Sequence, residues 1–252
     1  MGRILLEFFA RSGYNRGIGP SELCFGLGDR GVGANSVRVP FLLVLYQQYL
    51  DHQDLARFTR CVSECYHSGT LERLARHPRR EVRRAAVLTL GLLGDYDANH
   101  SLGCALLDSD RTVRTIAENG IRTVWTRAGN EAERQELRLI TRLNAAQVHQ
   151  EAAVRATKLI ERAPWFAEVW HQRAVAHFAL GQLVESIRDC HQTLEINPYH
   201  FVAATSMGQA YLQLENPVSA LECFRRALRL NPDLERVRVQ VVRLTRMVED
   251  NR

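Results

Sequence analysis

Along the last third of the chain, apolar positions recur every three to four residues, the spacing of amphipathic helices. The pattern itself repeats: Pro164, Pro198 and Pro232 stand 34 residues apart, and each closes a stretch that reads as two helices. Small residues fall where paired helices must cross closely, Ala174 and Gly208 in first helices and Ala152, Ser186 and Ala220 in second helices. Larger packing positions surround them, among them Trp170, Phe178, Tyr211, Phe224, Leu194 and Leu228. Gly181 and Glu215-Asn216-Pro217 fall between helices, where the chain has to turn. Asn197-Pro198 and Asn231-Pro232 end second helices, since a residue before proline resists helical backbone. Beyond Pro232, the set Leu234, Val237, Val241, Leu244 and Val248 predicts one more helix, capping the array with a wet outer face.

A second period appears upstream. The stretch from His77 to Ala86 is echoed 31 residues later by Asp108 to Ala117, superposing Val82 on Val113, Arg83 on Arg114 and Ala86 on Ala117. Val82, Ala86 and Leu90 form one stripe at i, i+4, i+8, with Arg83 at the helix start beside the turn. Before this block, Phe41 to Leu50 and Leu55 to Tyr66 predict a helical hairpin hinged at residues 51–54. The first 39 residues carry seven glycines between Gly13 and Gly33, which favours loop, apart from short helices over Leu5 to Arg11 and near Ser21 to Phe25.

The 34-residue pattern resembles the tetratricopeptide repeat. Residues 201–234 agree at Gly208, Tyr211, Ala220, Phe224, Ala227 and Pro232; residues 167–200 keep Trp170, Ala174, Gly181 and Pro198; residues 133–166 keep Ala152, Ala156 and Pro164. The 31-residue block, with its V-R-x-x-A motif followed by Leu90-Gly91-Leu92-Leu93-Gly94, resembles the short bacterial type of HEAT repeat. Together the resemblances imply an all-α fold, an α-solenoid of stacked antiparallel helix pairs, HEAT-like first and tetratricopeptide-like after. The expected organisation is a glycine-rich segment over 1–39, HEAT-like repeats over 40–128, and the array with its capping helix over 133–252.

Composition narrows the function classes. The chain has 252 residues, 46% hydrophobic and 24% charged, enough to bury a large core and unlike a disordered chain. Its net charge of +5 is carried almost wholly by arginine, since Lys158 is the single lysine. Six cysteines include no C-x-x-C pair, so neither a zinc ribbon nor a redox pair is indicated, and reduced thiols in the cytoplasm are the expectation. The apolar runs Ile4 to Ala10 and Phe41 to Tyr46 are too short to span a bilayer.

Four constellations invite chemistry. Gly26 to Gly31 spells G-x-G-x-x-G, but no strand precedes it, so a glycine-rich loop is the better reading than a nucleotide site. Cys61 and Cys65 share a helix face near His52 and His67; with Phe58 and Val62 on the same stripe, core packing outweighs a metal site. His171 and His177 fall on a first helix, where they line a groove or replace a packing residue. Arg73, Arg76, Arg79, Arg80, Arg83 and Arg84 form the densest basic patch and suggest phosphate tracking, but Glu72 and Glu81 interrupt it and no aromatics interleave. No catalytic residue, cofactor or metal is assigned.

In the tetratricopeptide family the inner groove is lined by first helices. Carried over by position, this implies Glu168, His171, Val175 and Phe178 in one unit and Val202, Thr205, Gln209, Leu212 and Gln213 in the next. The lysine, asparagine and arginine positions that grip C-terminal carboxylates in one subset of the family hold His171, Val175, Ser206, Arg236 and Gln240 here, and only Arg236 keeps the charge. The sequence therefore reads as a non-catalytic scaffold for a protein or peptide partner, with no membrane. The alternatives are nucleic-acid binding through the arginine patch, or an enzyme of the kind found among HEAT-like phycobilin lyases.

Overall fold

The computed structural model of the protein describes residues 39–250, and every regular element in that span is helical. The expectations for Leu5 to Arg11, Ser21 to Phe25 and Gly26 to Gly31 lie outside the described residues. Pro40 leads into α1 (Phe41–His52), which pairs with α2 (Leu55–Cys65) as a hairpin. Gln53 takes left-handed backbone between them (φ 56°), and the Asp54 carboxylate accepts the Arg57 amide to start α2. Leu42, Tyr46, Phe58 and Val62 bury the shared face, while Cys61 is half-buried and Cys65 exposed, so the expected core role does not extend to Cys65.

The 31-residue period appears as α3 (Ser68–Leu74) with α4 (Arg80–Leu93), then α5 (Asn99–Ala105) with α6 (Arg111–Trp125). Val82, Ala86 and Leu90 are fully buried, as are Val113, Ala117 and Ile121. Helices α4 and α6 cross with their backbones touching: a Cβ on Gly91 would lie 2.7 Å from the Gly120 Cα. The two equivalent arginines make equivalent bonds. Arg83 Nη1 donates to the carbonyls of His77 and Pro78, Arg114 Nη1 to those of Asp108 and Ser109, each closing its own turn. Arg83 also grips Asp108 with two bonds, at 2.6 and 2.8 Å. Arg114 grips an acid from far along the chain, Asp233, at 2.9 and 3.1 Å.

A turn through Gly129 (φ 84°) and a capping box between Asn130 and Glu133 begin the second array. Three helix pairs follow: α7 (Glu131–Ala145) with α8 (His149–Arg162), α9 (Ala167–Ala179) with α10 (Leu183–Ile196), and α11 (Phe201–Gln213) with α12 (Pro217–Leu230). Helix α13 (Glu235–Asp250) packs on the last pair through Val237 and Leu244. Gln147, Gly181 and Glu215, 34 residues apart, are all left-handed (φ 61°, 76° and 55°) and end the three first helices in the same way. One residue later the amides of Val148, Gln182 and Asn216 donate back to the carbonyls of Leu143, His177 and Tyr211, each at 2.9 Å. The pair α7–α8, weakest in its sequence match, thus shares the turn geometry of the others. Ala152, Ala174, Ser186 and Ala220 are fully buried at the crossings, and a Cβ on Gly208 would meet the Phe224 ring at 2.7 Å.

The molecule is a solenoid of antiparallel helix pairs, but its first block does more than lean on the next layer. It turns back onto the connections at Asn197 to His200 and Asn231 to Asp233. Tyr199 lies over Gly103, where any side chain would displace it. Asn99 donates to Asn197 at 3.0 Å and accepts the Trp125 indole N–H at 2.8 Å. The Trp125 ring stacks on His200, and Phe201 joins the core of the first block. A buried seam of aromatic and amide side chains therefore locks the two periodic parts together.

Candidate functional site

Successive first helices α11 and α13 leave a groove of about 500 Å³. From α11 it takes Val202, Thr205, Gln209 and Leu212; from α13 and the turn before it, Leu234, Arg236, Val237 and Gln240. Phe201 and Phe224 form its buried floor, and Arg122 reaches in from α6 with its guanidinium 4.7 Å from the Phe201 ring centroid. The lining is apolar at the base and amide or charged at the rim, which suits a chain segment presenting both side chains and backbone.

The charges of the rim are mostly spent. Asp233 is held by Arg114, Glu235 by Arg238 at 2.8 Å, and Arg122 by Glu118 at 3.0 Å. Among the described residues, Arg236 is the charged lining side chain with no ion pair, and it is exposed.

The expected groove residues divide into three sets. Val202, Thr205, Gln209 and Leu212 lie together in this groove, and Gln213 is exposed beyond it. Val175 and Phe178 are half-buried on α9, outside it. Glu168 and His171, also expected on the open face, are instead buried, at 8% and 6% exposure, so they are corrected to interior positions. Phe201, Leu234, Val237 and Arg122 were not anticipated. The first three follow from where α11 and α13 begin, whereas Arg122 carries no periodic signal.

Glu168 and His171 join His200 and Ser206 in a buried network. The Glu168 carboxylate accepts from the Gln172 amide at 2.8 Å and from His200 Nε2 at 3.0 Å, with His171 Nδ1 at 3.4 Å. Ser206 Oγ lies 3.4 Å from His171 Nε2. Burial acts to raise the Glu168 pKa, but the two histidines outweigh it and hold the carboxyl well below its usual range. Burial pushes the His200 imidazole below its ordinary value.

The ligand atoms of Glu168, His171 and His200 lie within 4.8 Å of one another, a distance that raises the question of a metal. Tautomer answers it. His200 Nδ1 accepts the Ala203 amide at 3.0 Å as the N-cap of α11, which places the imidazole proton on Nε2, facing Glu168. A protonated nitrogen has no lone pair for a metal, and a metal-bound histidine donates from its other nitrogen rather than accepting there. The cluster is a hydrogen-bonded carboxylate at the seam.

Three of the six patch arginines are engaged in ion pairs, and Arg73, Arg76 and Arg79 are in none among the described residues. Arg83 pairs with Asp108 and Arg84 with Asp110 at 2.6 Å, and Arg80 with the neighbouring Glu81 at 3.0 Å. The Arg84 guanidinium holds the Asp110 carboxyl down at about 2. The Arg83 and Arg84 bonds tie repeat to repeat, whereas the Arg80 pair is local to its own helix. Among the described residues, no helix is long and apolar enough to cross a membrane.

Comparison with known proteins bears on the groove-forming segment. Residues 202–234 match the family model for the tetratricopeptide repeat. A protein SGT1 homolog of Bos taurus is 33% identical over 82 residues, 32% of this chain and 24% of that protein. A TPR repeat-containing protein of Rhizobium etli is 30% identical over 89 residues, 35% of this chain and 44% of that one. The matched segment thus spans from about a quarter to under half the length of these curated relatives. Among solved structures, the TPR2AB domain of yeast Sti1 in complex with an HSP90 peptide is similar over 81% of this chain and 90% of that one, at 19% identity and a TM-score of 0.43. YrrB, described as a TPR protein with an unusual peptide-binding site, covers 80% and 97% at 18% identity and a TM-score of 0.41. Within its all-helical array, the chain carries a tetratricopeptide repeat at residues 202–234.

Proposed function

We propose that the protein is a non-catalytic scaffold that captures a protein segment in the groove between α11 and α13. The observation that carries this reading is the convergence of Val202, Thr205, Gln209 and Leu212 with Leu234, Val237 and Gln240 on one open groove built over a rigid floor. Apolar side chains of the partner seat on Val202, Leu212 and Val237, the Gln209 and Gln240 amides meet its backbone, and Arg236 faces an acidic group. Preformed helices bind at little ordering cost of their own. Peptide capture by tetratricopeptide proteins such as yeast Sti1 supports the class of partner. The five thiols among the described residues form no disulfide with one another, which supports a cytoplasmic setting.

Selection of peptides from a random displayed library tests this directly. The wild-type chain enriches a defined motif, and the Gln209→Glu, Leu212→Glu double variant loses that motif by at least about tenfold, as expected for a central apolar anchor. Its melting temperature falls but the chain stays folded, because Gln209 is exposed and Leu212 only half-buried at the edge of the core. Retention of the same motif by the variant would move the site elsewhere.

A further inference from the structure

We propose that Cys104 is a nucleophilic thiol, activated by His100 and oriented by Tyr199, and that it is a site of modification by hydroperoxides. His100 and Cys104 sit one turn apart on α5, both exposed, with Cys104 Sγ 3.8 Å from His100 Nε2. The other imidazole nitrogen, Nδ1, is 2.6 Å from the Tyr199 hydroxyl. Tyr199 is itself immobilised, because its ring covers Gly103 and its backbone amide donates to Asn197. With Nδ1–H donating to the Tyr199 oxygen, Nε2 presents its lone pair to the thiol. This is a nucleophile, a base and a group that orients the base, assembled from two separate parts of the chain.

The remaining described thiols lack this arrangement. Burial pushes Cys190 up to about 12 and Cys223 up to about 11, which keeps both protonated. Cys61 is half-buried, and Cys65, although exposed, forms no bond to a histidine among the described residues. Cys104 is exposed, so a small solute reaches it directly. In the reaction the thiol proton passes to His100 Nε2, and the sulfur attacks the distal oxygen of the peroxide. The S–O bond forms as the O–O bond breaks, and the departing oxyanion takes the proton from the imidazolium. The products are a sulfenic acid on Cys104 and water or an alcohol.

The test uses the whole chain and Cys65 as an internal reference. After brief exposure to hydrogen peroxide, dimedone adducts are counted on the Cys104 and Cys65 peptides by mass spectrometry; in parallel, iodoacetamide alkylation of each site is followed from pH 5.5 to 9. Cys104 is expected to react about tenfold faster than Cys65 at pH 7, because His100 takes up its proton. His100→Gln, a change at an exposed position, brings Cys104 back to the rate and pH profile of Cys65. Equal reactivity of the two thiols, or a fast Cys104 in the His100→Gln chain, would overturn the assignment.

Discussion

The indole of Trp125 stacks on the imidazole of His200 with ring centroids 4.0 Å apart and planes 17° from parallel. Trp125 ends α6 of the first block, and His200 caps α11, the helix that builds the groove. The pair therefore joins the 31-residue and 34-residue periods at the start of the helix that lines the groove.

Trp125→Ala should be costly. The side chain is 2% exposed, and its removal leaves a cavity between His200 and Phe201 and deprives Asn99 of a donor. A loss of about 3–5 kcal/mol is expected in denaturant unfolding. The wild type is expected to unfold in one transition, and in the variant that transition should split in two as the first block comes away from the array. A variant that unfolds in one transition at the wild-type midpoint would show that the seam contributes nothing.

Acid should loosen the same seam. The His200 pKa is depressed by burial, so the unfolded chain takes up its proton first. The stability it contributes is full above its unfolded value near 6.5 and is lost as pH falls through the lower folded value. Protonation at Nδ1 also expels the Ala203 amide from the cap. Glu168 adds a second loss below about 4.5, since its folded pKa is depressed too. Thermal melts from pH 7.5 down to 4 check this against His200→Asn, which keeps a capping acceptor and has no titrating ring. The variant should lack the first step of the decline; identical slopes would remove His200 from the account.

The left-handed turns offer an opposed pair of substitutions. Glu215 pays for left-handed backbone without glycine's freedom, so Glu215→Gly should raise stability by up to about 1 kcal/mol. Gly181 has open space around its missing Cβ, so Gly181→Ala tests backbone strain alone and should cost about 1 kcal/mol. Both are read from guanidinium midpoints at constant slope.

Much of the array is legible along the chain because each pair is a local object. Pro164, Pro198 and Pro232 mark where second helices stop, Gly208 and Ala220 mark where helices cross, and helical spacing marks which face is covered, all within 34 residues. Part of the groove is legible for the same reason, since Val202, Thr205, Gln209 and Leu212 recur on one helix face. Glu168 and His171 occupy the corresponding face one unit earlier, yet they are interior. Periodicity reports the side of a helix, and it is silent about what else in the molecule covers that side. His200 and Trp125 arrive there from 32 and 43 residues away from Glu168, on opposite sides of it in the chain. The partner of Arg114 is more remote still, 119 residues on, although Arg83 finds its own acid within 25. Repeats and helix boundaries follow from short-range sterics and spacing, which the chain spells out; the seam and the far end of the groove come from folding one array back upon another, a packing whose members share no spacing to read.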